Sequence, residues 1–144
     1  LGVSRQLSHE QNEEGQMRYA WTVVAVEDVA GTIAFWERAF GLERRFVSED
    51  GTYGELKTGE TTISFAHPSI SAGHGVEVDV LRLEGKPAGV ELALATDDVA
   101  AAFARAVAAG AAALKEPEVM PWGQTVSWVR DPNGVLIELC TPIG

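Results

Sequence analysis

Residues 21–42, WTVVAVEDVAGTIAFWERAFGL, have a second version in residues 91–114, ELALATDDVAAAFARAVAAGAAAL. Each copy opens with a short apolar run whose alternate positions differ, the period of a strand with two unlike faces. An acidic turn follows, VED in the first and TDD in the second. Asp28 and Asp98 therefore stand where an N-cap accepts hydrogen bonds from the first free helical amides. Ile33, Trp36 and Phe40, with Ala34 beside them, share one face of the first helix, and Val99, Phe103, Ala106 and Val107 share one face of the second. Gly41 and Gly110 are placed to end each helix in the left-handed conformation.

The match runs on downstream. GETTISFAHP (59–68) lies over NGVLIELCTP (133–142), which sets Ser64 against Glu138, and both segments end at proline. Before them, ERRFVSE, TYGELKT, AALKEPEV and TVSWVRD read as further strands. In DPNG, Pro132 presets the φ angle of a turn, and Asn133 and Gly134 suit the tight positions after it. Each half is thus β-α-β-β-β. Residues 1–16 read as a polar, disordered leader, 17–68 as module one, 69–89 as a linker and 90–144 as module two of one integrated α+β domain. Within the linker, VEVDVLRL has the alternation of an extra extended segment.

The strand faces carry the functional information. Val24, Val26, Ile63, Phe65, Leu92, Leu94, Ile137 and Leu139 form the bulky face that packs on the helices. The alternate face holds Trp21, Val23, Ala25, Thr62, Ser64, Ala66, Glu91, Ala93, Ala95, Glu138 and Cys140. Small and polar groups do not fill a core, so this face either lines a concave cavity shared by both halves or is an exposed sheet surface.

Composition narrows the partners. The 144 residues, 46% hydrophobic, suit a single globular domain. A formal net charge of −10 argues against nucleic acid and anionic membranes and favours cationic small ligands. No apolar run is long enough to span a bilayer, and the single cysteine, Cys140, cannot form an intramolecular disulfide, which points to the cytoplasm.

The tandem repeat, the FW pair at Phe35 and Trp36, and DPNG before a last strand containing Glu138 resemble the vicinal oxygen chelate superfamily, which comprises glyoxalases, bleomycin-resistance proteins and extradiol dioxygenases. The resemblance covers roughly residues 17–142. It implies two modules curled into a U-shaped mixed sheet around a cavity, helices on the outer face, and homodimers. Enzymatic members hold a divalent metal through His or Gln, Glu, His and Glu at four strand positions. In this chain those positions are Trp21, Ser64, Glu91 and Glu138. Only Glu91 and Glu138 are metal donors, and zinc, nickel and iron sites usually recruit imidazole. His9 lies in the leader, His74 in the linker and His67 beyond the strand.

The donor set therefore points away from a metal cofactor and towards the metal-free, bleomycin-resistance-like members, which sequester a cationic, flat-ringed molecule. Trp21 and Trp122 (in MPWGQ, resembling the family's WG at the cavity mouth) are the stacking candidates, with Glu91 and Glu138 as anions and Ser64 in the same ligand-binding set. Trp36 is expected in the core, Trp128 under a helix, and Tyr53 and Glu55 within reach of the cavity. Two further readings stand beside this one. One is a lyase, isomerase or dioxygenase whose divalent ion is held by Glu91, Glu138 and waters. The other is a non-catalytic interaction domain whose cavity Trp21 fills.

Overall fold

The computed structural model describes residues 15–143. Strand β1 (Trp21–Ala25) leads into helix α1 (Val29–Phe40), then β2 (Glu43–Val47), β3 (Tyr53–Lys57) and β4 (Thr62–Ala66). After a short helix α2 (Ser69–Ala72) the order repeats as β5 (Glu91–Ala95), α3 (Val99–Ala109), β6 (Ala112–Val119), β7 (Thr125–Arg130) and β8 (Leu136–Cys140). Each module forms one open four-stranded mixed sheet, ordered β1-β4-β3-β2 and β5-β8-β7-β6, in which the first strand is an edge and runs parallel to the last. The fold is α+β with the tandem β-α-β-β-β pattern that the repeat implies.

The helix boundaries follow from the caps. Asp28 Oδ1 accepts from the Gly31 amide at 2.9 Å, and Asp98 Oδ1 accepts from the Ala101 amide at 3.0 Å. Gly41 (φ 69°) and Gly110 (φ 116°) end the helices in left-handed geometry. Packing then follows the alternation of the strands. Val26, Phe65, Ile137 and Leu139 are buried, and Val24, Ile63, Leu92 and Leu94 pack against them.

The helices depart from the one-face expectation. α1 and α3 pack on each other as well as on their own sheets, so one continuous core contains residues of both modules. Phe35, off the expected face of α1, is buried because it turns towards module two, near Gly110. Val107 is partly exposed rather than buried. The segment VEVDVLRL forms no strand: residues 76–82 run without regular structure.

The modules are tied by a polar lock. Asp131, the first residue of DPNG, is fully buried. Its carboxylate accepts from Trp36 Nε1 at 3.1 Å, from the Asn133 and Val135 amides at 2.9 Å each, and from Asn133 Nδ2 at 3.1 Å. Asn133 Nδ2 also donates to Thr32 Oγ1 of α1 at 3.0 Å. Arg130 makes a second tie. Its guanidinium donates to the carbonyls of Arg82, Leu83 and Gly85 in the linker, and to Gly134 O. Gly134 (φ 97°) has to be glycine, because a Cβ there would overlap the Arg82 carbonyl.

Replacing Asp131 with Ala strands Trp36 Nε1 and two turn amides in the core. In urea denaturation, Asp131→Ala is expected to lose roughly 3–5 kcal/mol, and Trp36→Phe, which removes one bond to Asp131 and the buried second ring of the indole, about 2–3 kcal/mol.

Candidate functional site

The register places the site residues. Val23 pairs with Ser64 in module one as Ala93 pairs with Glu138 in module two, and Trp21 stands at the position of Glu91. The faces bearing these residues are those turned away from the shared helical core.

In module two, Glu138 on β8 lies directly opposite Trp128 on β7. Trp128 Nε1 donates to Glu91 Oε1 on β5 at 3.3 Å. Three strands thus bring two carboxyl groups and an indole together on one open face. The expectation that Trp128 lies under a helix is overturned. Thr125, Ser127 and Val129 do alternate with Val126, Trp128 and Arg130, but Ser127 and Val129 pair with the core residues Leu139 and Ile137. The helix side is theirs, and Trp128 faces the other way.

The Glu138 carboxyl is pushed up from its ordinary 4.5 to about 7. The main cause is its hydrogen bond with Glu91; lost solvation and the charge of Glu91 add to it. A proton shared by the pair is the alternative to two facing anions. Cys140, next on the same face, is buried, with Sγ 3.8 Å from Leu94 O. Its thiol is pushed up by burial first and by Glu138 and Glu91 second, so it stays protonated and unreactive at neutral pH.

Module one presents a different face. Trp21 is 59% exposed on edge strand β1. Ser64 is fully buried, and its Oγ donates to the Thr22 carbonyl at 3.0 Å. Glu55 lies opposite Ser64, accepts from Tyr53 Oη at 2.7 Å, and stands 3.6 Å from Arg45 Nε. Burial pushes the Tyr53 hydroxyl up. Trp122, 68% exposed, sits in the β6–β7 turn and donates to Gln124 Oε1 at 2.8 Å. Gln124 Nε2 in turn donates to Thr141 O, just past β8. Among the described residues, no hydrogen bond or ion pair joins Trp21 or Ser64 to Glu91 or Glu138.

A model of the Glyoxalase/Bleomycin resistance protein/Dioxygenase superfamily matches residues 18–139. The chain belongs to this superfamily. Solved structures agree on the fold. A glyoxalase-related enzyme from Fulvimarina pelagi is 22% identical with a TM-score of 0.74, over 90% of this chain and 94% of that one. The hypothetical protein SA1046 from S. aureus is 17% identical with a TM-score of 0.71, over 93% and 98%. TioX from Micromonospora sp. ML1 is 21% identical with a TM-score of 0.66, over 88% and 100%. At these identities the likeness is one of fold. No curated protein matches the chain at significant similarity.

The superfamily's enzymes imply a metal, and the residues present do not fit one. Trp21 has no donor, the Ser64 hydroxyl is committed to a backbone carbonyl, and Glu91 and Glu138 are engaged with each other and with Trp128. No group of three or more His, Cys, Asp or Glu side chains suited to a metal comes together among the described residues. His67 instead bonds Ser69 at the start of α2, and His9 lies outside the described residues.

The carboxyl pair fixes the sign of a pH effect. Below about 4.5, Glu138 is protonated whether the chain is folded or not. Between 4.5 and about 7 the folded chain keeps a proton that the unfolded chain releases, so stability falls as pH rises through that window. Glu138→Gln is expected to match the parent near pH 5 and to exceed it by about 1–2 kcal/mol at pH 8. Urea midpoints at the two pH values measure this.

Proposed function

We propose that the chain is a bleomycin-resistance-like binding protein that holds a small aromatic cation without a metal. The Glu91–Glu138 pair beside Trp128 is the observation that supports this most directly. Two carboxyl groups held close enough to share a proton are relieved by a positive charge placed between them. An indole on the same face offers that cation a π surface. Trp122, exposed near the end of β8, is a second stacking surface. In this reading Glu91 and Glu138 supply charge, the tryptophans supply stacking, and the cation displaces the proton from Glu138.

Trp21 enters through a second protomer. The Trp21 face and the Glu91–Glu138 face both turn away from the core that joins the modules, and Trp21 and Val23 are exposed hydrophobics on the first of them. A homodimer that sets the module-one face of one protomer against the module-two face of its partner covers this surface and closes a cavity between them. Ser64, small and buried, then leaves room in the cavity wall rather than contacting the ligand. Among the described residues no helix is long and apolar enough to cross a membrane. The reading places this binder in the cytoplasm.

Tryptophan fluorescence titration with proflavine and with bleomycin tests the proposal. Quenching is expected with affinity rising about tenfold from pH 6 to pH 8, as the displaced proton requires. Glu138→Gln should weaken binding at pH 8 and flatten the pH dependence. Absence of quenching by both probes, or an unchanged affinity in Glu91→Gln and Glu138→Gln, refutes it. Mixing Trp21→Ala with Glu138→Gln chains tests the shared cavity: heterodimers regain one intact site in two, whereas a site within one chain regains none.

A further inference from the structure

A cleft of about 490 Å³ lies apart from the carboxyl pair, between the free edge of β5, the C-terminal end of α1 and the β3–β4 turn. Phe40, Leu42, Leu94 and Leu139 give it an apolar lining. The charged residues that line it are Lys57 and Arg105, both cationic, in a chain of net charge −10. Arg105 is held in place. Its Nε donates to the Arg38 carbonyl at 3.0 Å at the end of α1, and Gly41, without a side chain, leaves room for the guanidinium. Its two Nη groups have no hydrogen-bond or ionic partner among the described residues. Lys57 is exposed, with Glu43 3.6 Å away.

The internal repeat supplies a comparison. A second cleft, of about 300 Å³, occupies the related place between the free edge of β1 and the turn before β8. There the chain's own linker contributes Val78, Leu81, Ala88 and Val90. The register also makes Arg130 the counterpart of Lys57. Glu55 lies opposite Ser64 as Trp128 lies opposite Glu138, and Lys57 and Arg130 follow two residues later. Arg130 is saturated by linker carbonyl oxygens. One half of the molecule therefore provides its cation with oxygen acceptors and its cleft with apolar side chains. In the other half no linker residue lines the cleft, Lys57 has Glu43 at 3.6 Å, and the Arg105 Nη groups are left without a partner among the described residues.

We infer that the larger cleft is a second ligand site, which takes from solution a small amphipathic acid. Its anionic oxygens meet Arg105 and Lys57, and its hydrocarbon body lies on Phe40, Leu42, Leu94 and Leu139. An acid fits better than a neutral carbonyl compound, because two cations share the cleft with no carboxylate in its lining. A guanidinium anchored through Nε still offers a pair of donors at its outer edge.

Calorimetric titration of the full chain with octanoate, octyl phosphate, 1-octanol and octylamine tests this inference. The two acids are expected to bind, whichever is tighter naming the preferred head group, with 1-octanol at least about tenfold weaker and octylamine silent. Lys57→Gln combined with Arg105→Gln should cost at least about tenfold in octanoate affinity. Arg105→Gln also removes the bond to Arg38, so Ala102→Phe, which fills the cleft and spares both cations, serves as the independent variant and should abolish binding. Glu138→Gln should leave octanoate binding unchanged. Equal affinity for octanoate and 1-octanol, or full octanoate binding in the Ala102→Phe chain, overturns the inference.

Discussion

The buried carboxylate of Asp131 constrains everything around it. A charge removed from water is tolerated only when its oxygens are fully engaged, and here the donors come from both halves of the chain: the Trp36 indole from α1 and three N–H groups from the turn. Trp36 and Asp131 are 95 residues apart. Their bond sets how α1 lies on the second module, and with it the contact between α1 and α3 that makes one core of two repeats. The outward direction of both open sheet faces is a consequence of that contact.

The two faces share a plan and differ in the residues that fill it. Equivalent positions hold Trp21 and Glu91, Ser64 and Glu138, Glu55 and Trp128. In module one the carboxylate at the third position is matched by Tyr53 and Arg45, so its charge is locally compensated. In module two, among the described residues, the pair Glu91 and Glu138 makes no ion pair: the Trp128 indole donates to Glu91, and the hydrogen bond with Glu91 pushes the Glu138 carboxyl up to about 7.

Much of this was legible in the chain itself. Alternation in the strands separated Val24, Val26, Ile137 and Leu139 from Ala93 and Glu138, because a strand's period leaves only two faces to choose between. Asp28, Asp98, Gly41 and Gly110 marked the helix ends through local chemistry. What escaped were facts decided across the modules. Phe35 is buried by the other half of the molecule, which no helical periodicity within α1 can register. Trp128 alternated as expected, but which of two faces met the helix depended on pairing with β8. VEVDVLRL has a strand's pattern and no strand, and the carbonyls of its last two residues, Arg82 and Leu83, go to Arg130 rather than to another strand. In DPNG the turn was plain, whereas the indole that Asp131 receives was not.

Arg130 gives the connection between the modules an unusual status. A linker is commonly a tether whose length matters and whose path does not, but here a guanidinium fixes three of its carbonyls and Gly134 gives the Arg82 carbonyl room to approach. Residues 82–85 are thus part of the second module's packing, although the repeat assigns them to neither. Added length would be absorbed around Gly73 to Val76, where the chain is exposed and its amides bond back within their own turn, and would be felt throughout the module if inserted at Arg82 to Gly85. Module two thus holds part of the connection before its own first strand begins.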